Sequence, residues 1–339
     1  MPTLDDIAAA AGVSRNAASR ALSGRTKATW PSVRERVDHI RRVAAELGYR
    51  PHAAARALSE RRFACAALIM GTESSRSTLI HGLLDGIITE LDANQHRLSV
   101  ARLSDDALVE PATLPQVLRE CSADGLLVNY THAAPKGMRQ VLEAAGIPAV
   151  WINAQREVDC VHPDDHGGAH AATAELLRLG HRRIAYLEWH QHPGEHYSFD
   201  ARRGGYEHAM REAGLPPRSL YLPAGTAVED SLPVVDEWLT GPERPTAVLA
   251  YCFAEILYLG ARLRGLSVPK DLSISTFMER PLLLIDRQPT ATLVPGYELG
   301  RASAAMLLDK FAAPTVALAP RVIPMTYHSG DTIAPPPEA

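Results

Sequence analysis

Several features that would assign a 339-residue chain to a common protein class are missing from this sequence. No apolar run approaches the roughly 20 residues of a membrane-spanning helix, and no basic patch followed by an apolar stretch predicts a secretory signal. The four cysteines, Cys65, Cys121, Cys160 and Cys252, lie far apart, which argues against a disulfide framework and a structural zinc site. We expect reduced thiols, a cytoplasmic location and no membrane partner.

The sequence also lacks the motifs of common catalytic and nucleotide-binding sites. It contains no Gly-x-Gly-x-x-Gly loop, no Walker A motif and no Gly-x-Ser-x-Gly nucleophile turn. Its 14 histidines and many serines allow many hypothetical Ser–His–Asp combinations, but no acid–base pair or nucleophile arrangement stands out. We therefore expect a protein that is not an enzyme and needs no cofactor.

What is present is a separation of charge along the chain. Residues 1–62 contain 12 lysines and arginines against 6 aspartates and glutamates, a net charge of +6. The other 277 residues carry 23 against 33, a net charge of −10. A basic segment joined to an acidic body is typical of a phosphate-binding module fused to a larger domain.

The basic segment has the pattern of two short helices joined by a tight turn. Leu4 and Ile7 repeat at helical spacing, Gly12 interrupts the pattern, and Ser14 can cap a second helix. This pattern predicts a helix-turn-helix. The second helix carries donors suited to base edges and phosphates, namely Arg15, Asn16, Ser19 and Arg20. We predict that it binds DNA.

From Ala64 onward, short apolar runs alternate with helical segments, which is typical of parallel sheets. The predicted strands are Ala64–Met70, Leu98–Leu103, Gly125–Asn129, Ala149–Asn153, Ile184–Leu187, Ala247–Tyr251 and Leu272–Phe277. The predicted helices are Leu79–Leu91, Leu114–Cys121, Ala169–Leu179 and Tyr206–Ala213. These alternating strands and helices are too many for one sheet of ordinary size, so we predict two α/β lobes. A ligand pocket is then expected between the lobes, beyond the carboxyl ends of the strands.

With this order established, the chain resembles the LacI/GalR family of bacterial transcription repressors along nearly its whole length. The matching stretches are Thr3–Ala8, Ala11–Ser14, Ser19–Leu22, Glu46–Pro51, Ala55–Leu58, Ala123–Val128, Gly146–Pro148, Leu179–Ala185, Arg202, Gly205–Tyr206, Arg244–Val248 and Val268–Ser273. The resemblance implies an all-α helix-turn-helix headpiece followed by a two-lobed, periplasmic-binding-protein-like α/β body with parallel sheets. It also implies a homodimer, or a higher assembly, on an inverted-repeat operator in double-stranded DNA, controlled by a small-molecule effector.

The resemblance assigns roles to individual residues of the headpiece. Thr3, Ser14 and Ser19 match hydroxyls that contact phosphates, and Arg15 and Asn16 match positions that face the major groove. Arg20 is expected to contact a base or a phosphate. Ser14 can cap its helix and contact DNA at the same time, and the alternative for Arg15 and Arg20 is that they are only surface charges.

The segment after the headpiece matches the family's hinge, which becomes helical on DNA. Leu58 matches a leucine that enters the minor groove, where an apolar wedge unstacks a base step and bends the duplex. His52, Ala55 and Arg56 are its expected groove or backbone contacts. The alternative is that Leu58 simply packs against the body.

The expected effector site departs from that of the sugar-binding relatives. Asn153, Glu255 (or Phe253) and Met278 stand where those relatives carry three acids, while Arg202 keeps the family's cationic donor. The remaining expected effector contacts are Leu79, Ile80, Trp151, His190 and Tyr251. A fixed arginine in a rather apolar cleft predicts a ligand with an apolar or aromatic body and one polar or anionic end. The alternative is a body that only dimerises.

Two groups of histidines are candidate metal sites. His190, His192 and His196 could converge on zinc, but ligand contacts at the cleft are the simpler reading of this loop. His166 and His170 share a helix face without a third ligand nearby in sequence, which favours a solvated helix start. We predict no metal site.

The expected organisation is a headpiece at residues 1–50, a hinge at 51–61, a body at 62–330 and a disordered tail at 331–339. The tail assignment rests on the run Pro335–Pro337. Two other classes compete with a regulator. A solute-binding protein should have a secretion signal and no headpiece, and a sugar-processing enzyme should have a catalytic constellation.

Overall fold

A computed structural model describes residues 2–22, 30–49, 63–72, 77–130, 134–135, 137–189, 196–222, 228–283 and 286–337. The chain separates into two compact units, Met1–Phe63 and Ala64–Ala339. The predicted hinge at residues 51–61, with His52, Ala55, Arg56 and Leu58, lies outside the described residues, and so does His190.

The first unit contains three described helices: α1 (Leu4–Ala10), α2 (Arg15–Leu22) and α3 (Pro31–Glu46). The Thr3 hydroxyl and the Asp6 carboxylate form a reciprocal capping box that begins α1. Gly12 takes the left-handed conformation (φ 62°) that the turn requires, and Ser14 accepts a hydrogen bond from the Ala17 amide at the start of α2. The predicted helix-turn-helix is thus confirmed.

A small apolar core holds these three helices together. Ile7 and Ile40 are almost fully buried and stand on α1 and α3, while α2 contributes the small side chains of Ala18 and Ala21. Alanines on the buried face allow α2 to approach its neighbours closely, and they leave its polar side chains on the solvent face.

The second unit forms two lobes, as predicted. The first lobe has a fully parallel sheet in the order β11-β5-β4-β3-β1-β2. Its strands are β1 (Cys65–Gly71), β2 (Arg97–Leu103), β3 (Gly125–Asn129), β4 (Ala149–Ile152), β5 (Cys160–Pro163) and β11 (Arg321–Ile323). Its helices are α4 (Leu83–Ala93), α5 (Asp105–Val109), α6 (Thr113–Glu120), α7 (Met138–Ala144) and α12 (Gly296–Ala312).

The second lobe repeats this plan in the order β12-β10-β9-β8-β6-β7, in which only the edge strand β12 is antiparallel among the described strands. Its strands are β6 (Ile184–Trp189), β7 (Ser219–Leu222), β8 (Ala247–Ala250), β9 (Ser273–Met278), β10 (Thr290–Leu293) and β12 (Thr326–His328). Its helices are α8 (Asp165–Arg178), α9 (Ser198–Glu212), α10 (Val228–Thr240) and α11 (Ala254–Leu263).

Helices cover both faces of each sheet, which explains the continuous apolar strands. In the first lobe, α4 and α12 cover one face with residues such as Ile87 and Leu307, and α6 and α7 cover the other. In the second lobe, α8 and α9 cover one face and α10 and α11 the other. None of the helices in the described part of the chain has the length and hydrophobicity that a membrane span requires.

The chain crosses between the lobes three times within the described residues. β5 ends at Pro163 and α8 begins at Asp165; β10 ends at Leu293 and α12 begins at Gly296; β11 ends at Ile323 and β12 begins at Thr326. Each connection is therefore only one or two residues long. The Asp164 amide donates to the Ile323 carbonyl at 2.8 Å, which joins the first and third crossings.

Three sequence expectations are wrong at element ends. The helix predicted over Tyr206–Ala213 is α9, which begins eight residues earlier, at Ser198. The helix predicted over Leu79–Leu91 begins only at Leu83, because Gly82 takes a left-handed conformation (φ 81°) and Leu79 and Ile80 precede the helix. The tail predicted to be disordered is packed over most of its length. Thr332 is fully buried, its hydroxyl donates to the Ile274 carbonyl at 2.7 Å, and the Ala334 carbonyl contacts His181 Nε2 at 2.8 Å.

Candidate functional site

The first candidate surface is the solvent face of α2. Arg15, Asn16, Ser19 and Arg20 are all exposed, and their spacing places them along one side of the helix. Arg20 Nε donates to the Asn16 carbonyl at 3.4 Å, and Arg15 lies 3.5 Å from the exposed Asp5 carboxylate. An exposed ion pair of this kind contributes little to stability and leaves the arginine available to a phosphate or a base.

Thr3 and Ser14 are exposed at the starts of α1 and α2 while their hydroxyls serve as caps. Trp30 stands at the N-cap of α3 without a side-chain hydrogen bond, and it is 71% exposed.

The second candidate site is a cavity of about 370 Å³ between the two lobes. It lies beyond the carboxyl ends of β4, β6, β8 and β9, as the parallel topology requires. Five residues expected from the sequence line it: Ile80, Asn153, Arg202, Tyr251 and Met278. His196 also lines it, and it stands in the histidine-rich loop for which the sequence favours ligand contacts. The lining further includes residues that the sequence did not identify as effector contacts: Thr78, Trp189, Ser198, Phe199, Phe277, Glu279 and Val294.

Arg202 is the buried cation of this cavity. Its Nε donates to Asp165 Oδ1 at 2.7 Å, and its side chain is 10% exposed. Burial is the largest single influence on the pKa of Arg202 and lowers it, but the attraction and hydrogen bond of the Asp165 carboxylate, together with the nearby Tyr251 and Tyr186, raise the pKa overall. The guanidinium lies 4.2 Å from the centre of the Phe277 ring and 4.7 Å from that of Tyr251, both within cation–π distance.

Asp165 is held from a second side as well. The Tyr197 hydroxyl donates to Asp165 Oδ2 at 2.7 Å. Burial, with the adjacent Asp165 carboxylate, raises the pKa of the Tyr197 hydroxyl, so it remains a donor. Among the described residues, the only hydrogen bond of the Arg202 guanidinium is the one from Nε. Its terminal amino groups are therefore the donors that a ligand in the cavity can use.

An aromatic cluster surrounds this cation, although aromatic residues form only 6% of the sequence. Phe199 stacks on Tyr251 with ring centres 4.1 Å apart, and Trp189 meets the Phe199 ring edge-on at 4.6 Å. Such rings offer flat apolar surfaces to a ligand and exclude water from the guanidinium. The site can thus bind an apolar or planar ring and orient one polar group.

Two hydrogen bonds join the lobes across the cleft. His196 Nε2 contacts the Asn153 carbonyl at 2.7 Å, and the His81 amide donates to Glu279 Oε2 at 2.8 Å. His196 Nδ1 also contacts Ser198 Oγ at 2.7 Å. Both ring nitrogens of His196 are thus used within the cleft, which weakens the sequence hypothesis of a metal site at this residue.

Three expected effector contacts lie elsewhere. Trp151 is buried in the core between β4 and helices α6 and α7, because alternate strand residues point to opposite faces, and the Arg156 guanidinium lies 3.6 Å above its ring. Glu255 is exposed in the first turn of α11, after the left-handed Phe253 turns the chain. Leu79 is 36% exposed and is not among the described residues that line the cavity.

One sequence signal could have found two of the missed residues. Phe277 is the last residue of the predicted strand Leu272–Phe277, and Trp189 lies two residues beyond the predicted strand Ile184–Leu187, at the end where parallel sheets bind ligands. Phe199 and Ser198 carry no such signal, because the start of α9 reaches the cavity only through the folded arrangement of the lobe.

Family models account for both units. Residues 3–52 match the model "Bacterial regulatory proteins, lacI family", and residues 173–333 match the model "Periplasmic binding protein-like domain". The second match begins inside α8 and therefore covers most of the second lobe together with α12 and β11.

Relatives match over almost the whole chain. The chain is 27% identical to the HTH-type transcriptional regulator CelR of Thermobifida fusca, over 93% of each chain. It is 29% identical to catabolite control protein A of Priestia megaterium, over 91% of this chain and 92% of the relative.

The fold is shared with a solved structure of the Lac repressor dimer bound to operator and the anti-inducer ONPF, with a TM-score of 0.75 over 98% of this chain and 99% of that one, at 19% identity. The two family models, the relatives and the fold agree on one conclusion. The chain belongs to the LacI family of bacterial regulatory proteins, and is a DNA-binding transcription regulator rather than an enzyme.

Proposed function

We propose that the protein is a repressor that binds an inverted-repeat operator as a dimer and changes its affinity for DNA when a small ligand enters the cleft between the lobes. The observation that supports this most directly is the pairing of a helix-turn-helix with a cavity that contains one buried, oriented cation, Arg202. A ligand acts on DNA binding only if it binds two lobe arrangements with different affinity. Because the target is chromosomal DNA, the proposed location is the cytoplasm.

The effector that fits this cavity has a flat or apolar body and one polar end. The aromatic cluster would contact the body, and the terminal amino groups of Arg202 would bind a hydroxyl pair or a carboxylate. Asp165 already compensates the charge of Arg202, and Glu279 adds a negative charge at the cavity lining. This balance favours a neutral or singly charged ligand over a phosphate.

Related structures show what other members of the fold bind. One is described as a CelR–cellobiose complex, and another, from Enterococcus faecium, contains bound ribose. Asn153 and Met278 replace the acids expected of sugar-binding relatives, so we propose a less polar effector than a hexose for this chain. The second candidate function is a regulator whose body only dimerises. The cavity lining of Arg202 and stacked rings favours the ligand-binding alternative.

A ligand screen by thermal shift tests the effector site. We expect compounds with an aromatic or apolar body and a carboxylate or vicinal hydroxyls to raise the melting temperature of the wild type, and the rise to be lost in Arg202→Lys. Arg182→Ala removes an exposed arginine of the same lobe and should respond like the wild type. Stabilisation by common monosaccharides that persists in Arg202→Lys would contradict both the ligand class and the anchor.

Fluorescence anisotropy with a selected operator tests the DNA contacts. Arg15→Ala and Asn16→Ala should each cost about 1–3 kcal/mol at the matched base pair and relax the preference there. Arg42→Ala, an exposed arginine on α3, is the control and should keep the wild-type preference. Binding should also weaken by roughly 10³–10⁵ between about 50 and 200 mM salt if six to ten phosphates are contacted. Equal affinity for random and palindromic DNA would refute the operator proposal.

A further inference from the structure

Helices α8 and α9 of the second lobe pack unusually close together. The contact is centred on Gly205, where an added Cβ would lie 2.2 Å from the His166 carbonyl oxygen and 3.0 Å from Ala169 Cβ. No side chain larger than hydrogen fits at this point, so the two helix backbones nearly touch. The side chains that flank Gly205 on the solvent side therefore face one another at short range.

Those flanking side chains form a histidine–glutamate cluster. His166 and His170 stand one turn apart on α8, and His208 and Glu212 stand one turn apart on α9. His170 Nε2 lies 2.7 Å from Glu212 Oε2, and His208 Nε2 lies 3.4 Å from Glu212 Oε1. The His170 and His208 ring centres are 5.0 Å apart, and those of His166 and His208 are 5.5 Å apart.

The distances suit a metal ion after small side-chain movements. One ligand atom from each of His170, His208 and Glu212 lies within 4.8 Å of the others. Bonds of about 2.0–2.2 Å from zinc to nitrogen and oxygen place the ligand atoms of a tetrahedral site roughly 3.3–3.6 Å apart. The side chains of His208 and Glu212 are 52% and 58% exposed, so they are able to rotate into that geometry.

We propose that His170, His208 and Glu212 bind a divalent transition-metal ion of the zinc class, with His166 as a fourth ligand. Two imidazoles and one carboxylate are a donor set that zinc prefers, and calcium or magnesium does not. An ordinary ion pair with Glu212 needs only one histidine, whereas here both His170 and His208 approach the Glu212 carboxylate, and the His166 ring lies beside that of His208.

The sequence alone could not assemble this site. His166 and His170 share a helix face, but the other two ligands follow only after β6, and His170 and Glu212 are 42 residues apart. Only the close approach of α8 and α9 brings the two pairs together.

A metal ion here would cross-link the two helices that build the effector anchor. α8 begins at Asp165, next to His166, and α9 carries Arg202, so both ends of the buried ion pair lie on the cross-linked helices. The second lobe should therefore become more resistant to unfolding when the metal is bound, because the ion binds the folded lobe and not the separated helices.

The test is zinc binding to the full-length chain after treatment with a chelator, measured by isothermal titration calorimetry and by melting temperature. We expect one zinc equivalent at this site and a rise in melting temperature. His208→Ala and Glu212→Gln should each weaken zinc affinity at least about tenfold, which is the size of effect that loss of even an outer-sphere partner produces. Circular dichroism confirms that these exposed variants are folded.

Two control variants make the result specific. His39→Ala removes an exposed helical histidine on α3 and should bind zinc like the wild type. His190→Ala/His192→Ala tests the histidine-rich segment and should also keep the proposed site. Wild-type affinity in a His170→Ala/His208→Ala variant would overturn the proposal, and so would loss of binding in the His190→Ala/His192→Ala variant alone.

Discussion

The two walls of the cleft differ in chemistry. The wall formed by the second lobe carries four aromatic rings around one buried cation, and these residues are Trp189, Phe199, Tyr251, Phe277 and Arg202. The wall formed by the first lobe contributes Thr78, Ile80 and Asn153, and Asn153 uses its carbonyl to contact His196 of the opposite wall. The second lobe thus has most of the groups able to select a ligand, and the first lobe covers these groups from the other side of the cleft.

This difference suggests that the second lobe selects the ligand and that the first lobe determines how the cleft closes around it. A ligand bound first to the second lobe would meet Arg202 and the rings in their final positions, because stacking and the Asp165 contact hold them. Contacts with the first lobe would then determine how far the cleft closes. Substitutions on the two walls should therefore have unequal effects, and the following experiments test that expectation.

The largest effect is expected for Arg202→Ala. The substitution leaves the Asp165 carboxylate, itself only 2% exposed, buried without its cation, which should cost about 3–5 kcal/mol of unfolding free energy. Denaturant unfolding measures this loss. The matched control is Arg301→Ala in the first lobe, which breaks the Arg301–Glu90 pair, whose arginine side chain is 53% exposed, and should cost about 0–1 kcal/mol. Equal losses of unfolding free energy in the two variants would contradict the expectation that the ion pair of the second lobe contributes more to stability.

A smaller loss is expected for Tyr197→Phe. It removes a hydrogen bond to the buried Asp165 carboxylate without changing the ring, and bonds to charged groups contribute about 1.5–3 kcal/mol. Tyr221→Phe, at a partly exposed position of the same lobe, should stay within about 0.5 kcal/mol of the wild type. A Tyr197→Phe variant as stable as the wild type would show that Arg202 alone holds Asp165.

The second lobe should also lose stability as the pH falls. Burial lowers the pKa of His181, whose ring nitrogens contact Thr246, Ser273 and the Ala334 carbonyl. Below an unfolded pKa of about 6.5, the unfolded chain binds a proton that the folded ring resists. The stability of the neutral form is therefore fully present above that value and declines as the pH falls toward the lower folded pKa.

Urea midpoints of wild type and His181→Gln over the range from about pH 7.5 to 5 measure this contribution. We expect the His181→Gln variant to be less stable at neutral pH and to show a weaker dependence on pH. The exposed His39→Gln should keep the wild-type dependence. An unchanged pH profile in His181→Gln would assign the acid sensitivity to other groups.

The smallest effect is expected for Ile80→Val on the first wall. Ile80 is 8% exposed and packs into the core of the first lobe, so removing one methyl group should cost about 0.5–1.5 kcal/mol. Its effect on effector affinity should be well below that of Arg202→Lys, because the first wall supplies few oriented contacts. A ligand affinity equally sensitive to both variants would mean that the first lobe selects the ligand as well.

The sequence was sufficient where local chemistry determines structure. The caps at Thr3 and Ser14, the left-handed Gly12 and the polar face of α2 all follow from residues within a few positions of one another. The alternation of strands and helices similarly predicted two lobes, because each apolar run needs cover on both faces.

Sequence reasoning failed where distant segments meet. Trp151 is an expected effector contact, but the alternation of strand residues places its side chain in the core of the first lobe. The tail was judged by its prolines, and the hydrogen bonds of Thr332 with Ile274 and Thr290 were invisible in the sequence. The start of α9 reaches the cavity only because the lobe is folded.

The three crossings between the lobes have a mechanical consequence. Each is one or two residues long and has a proline in it or beside it, at Pro163, Pro295 and Pro324, and a proline has little freedom in φ. Three short tethers, two of them hydrogen-bonded to each other, resist sliding and twisting of one lobe against the other but permit bending about a common line. The two lobes should consequently move against each other mainly by bending about this line. The angle between the lobes is then the one quantity through which a bound ligand can act on the rest of the chain.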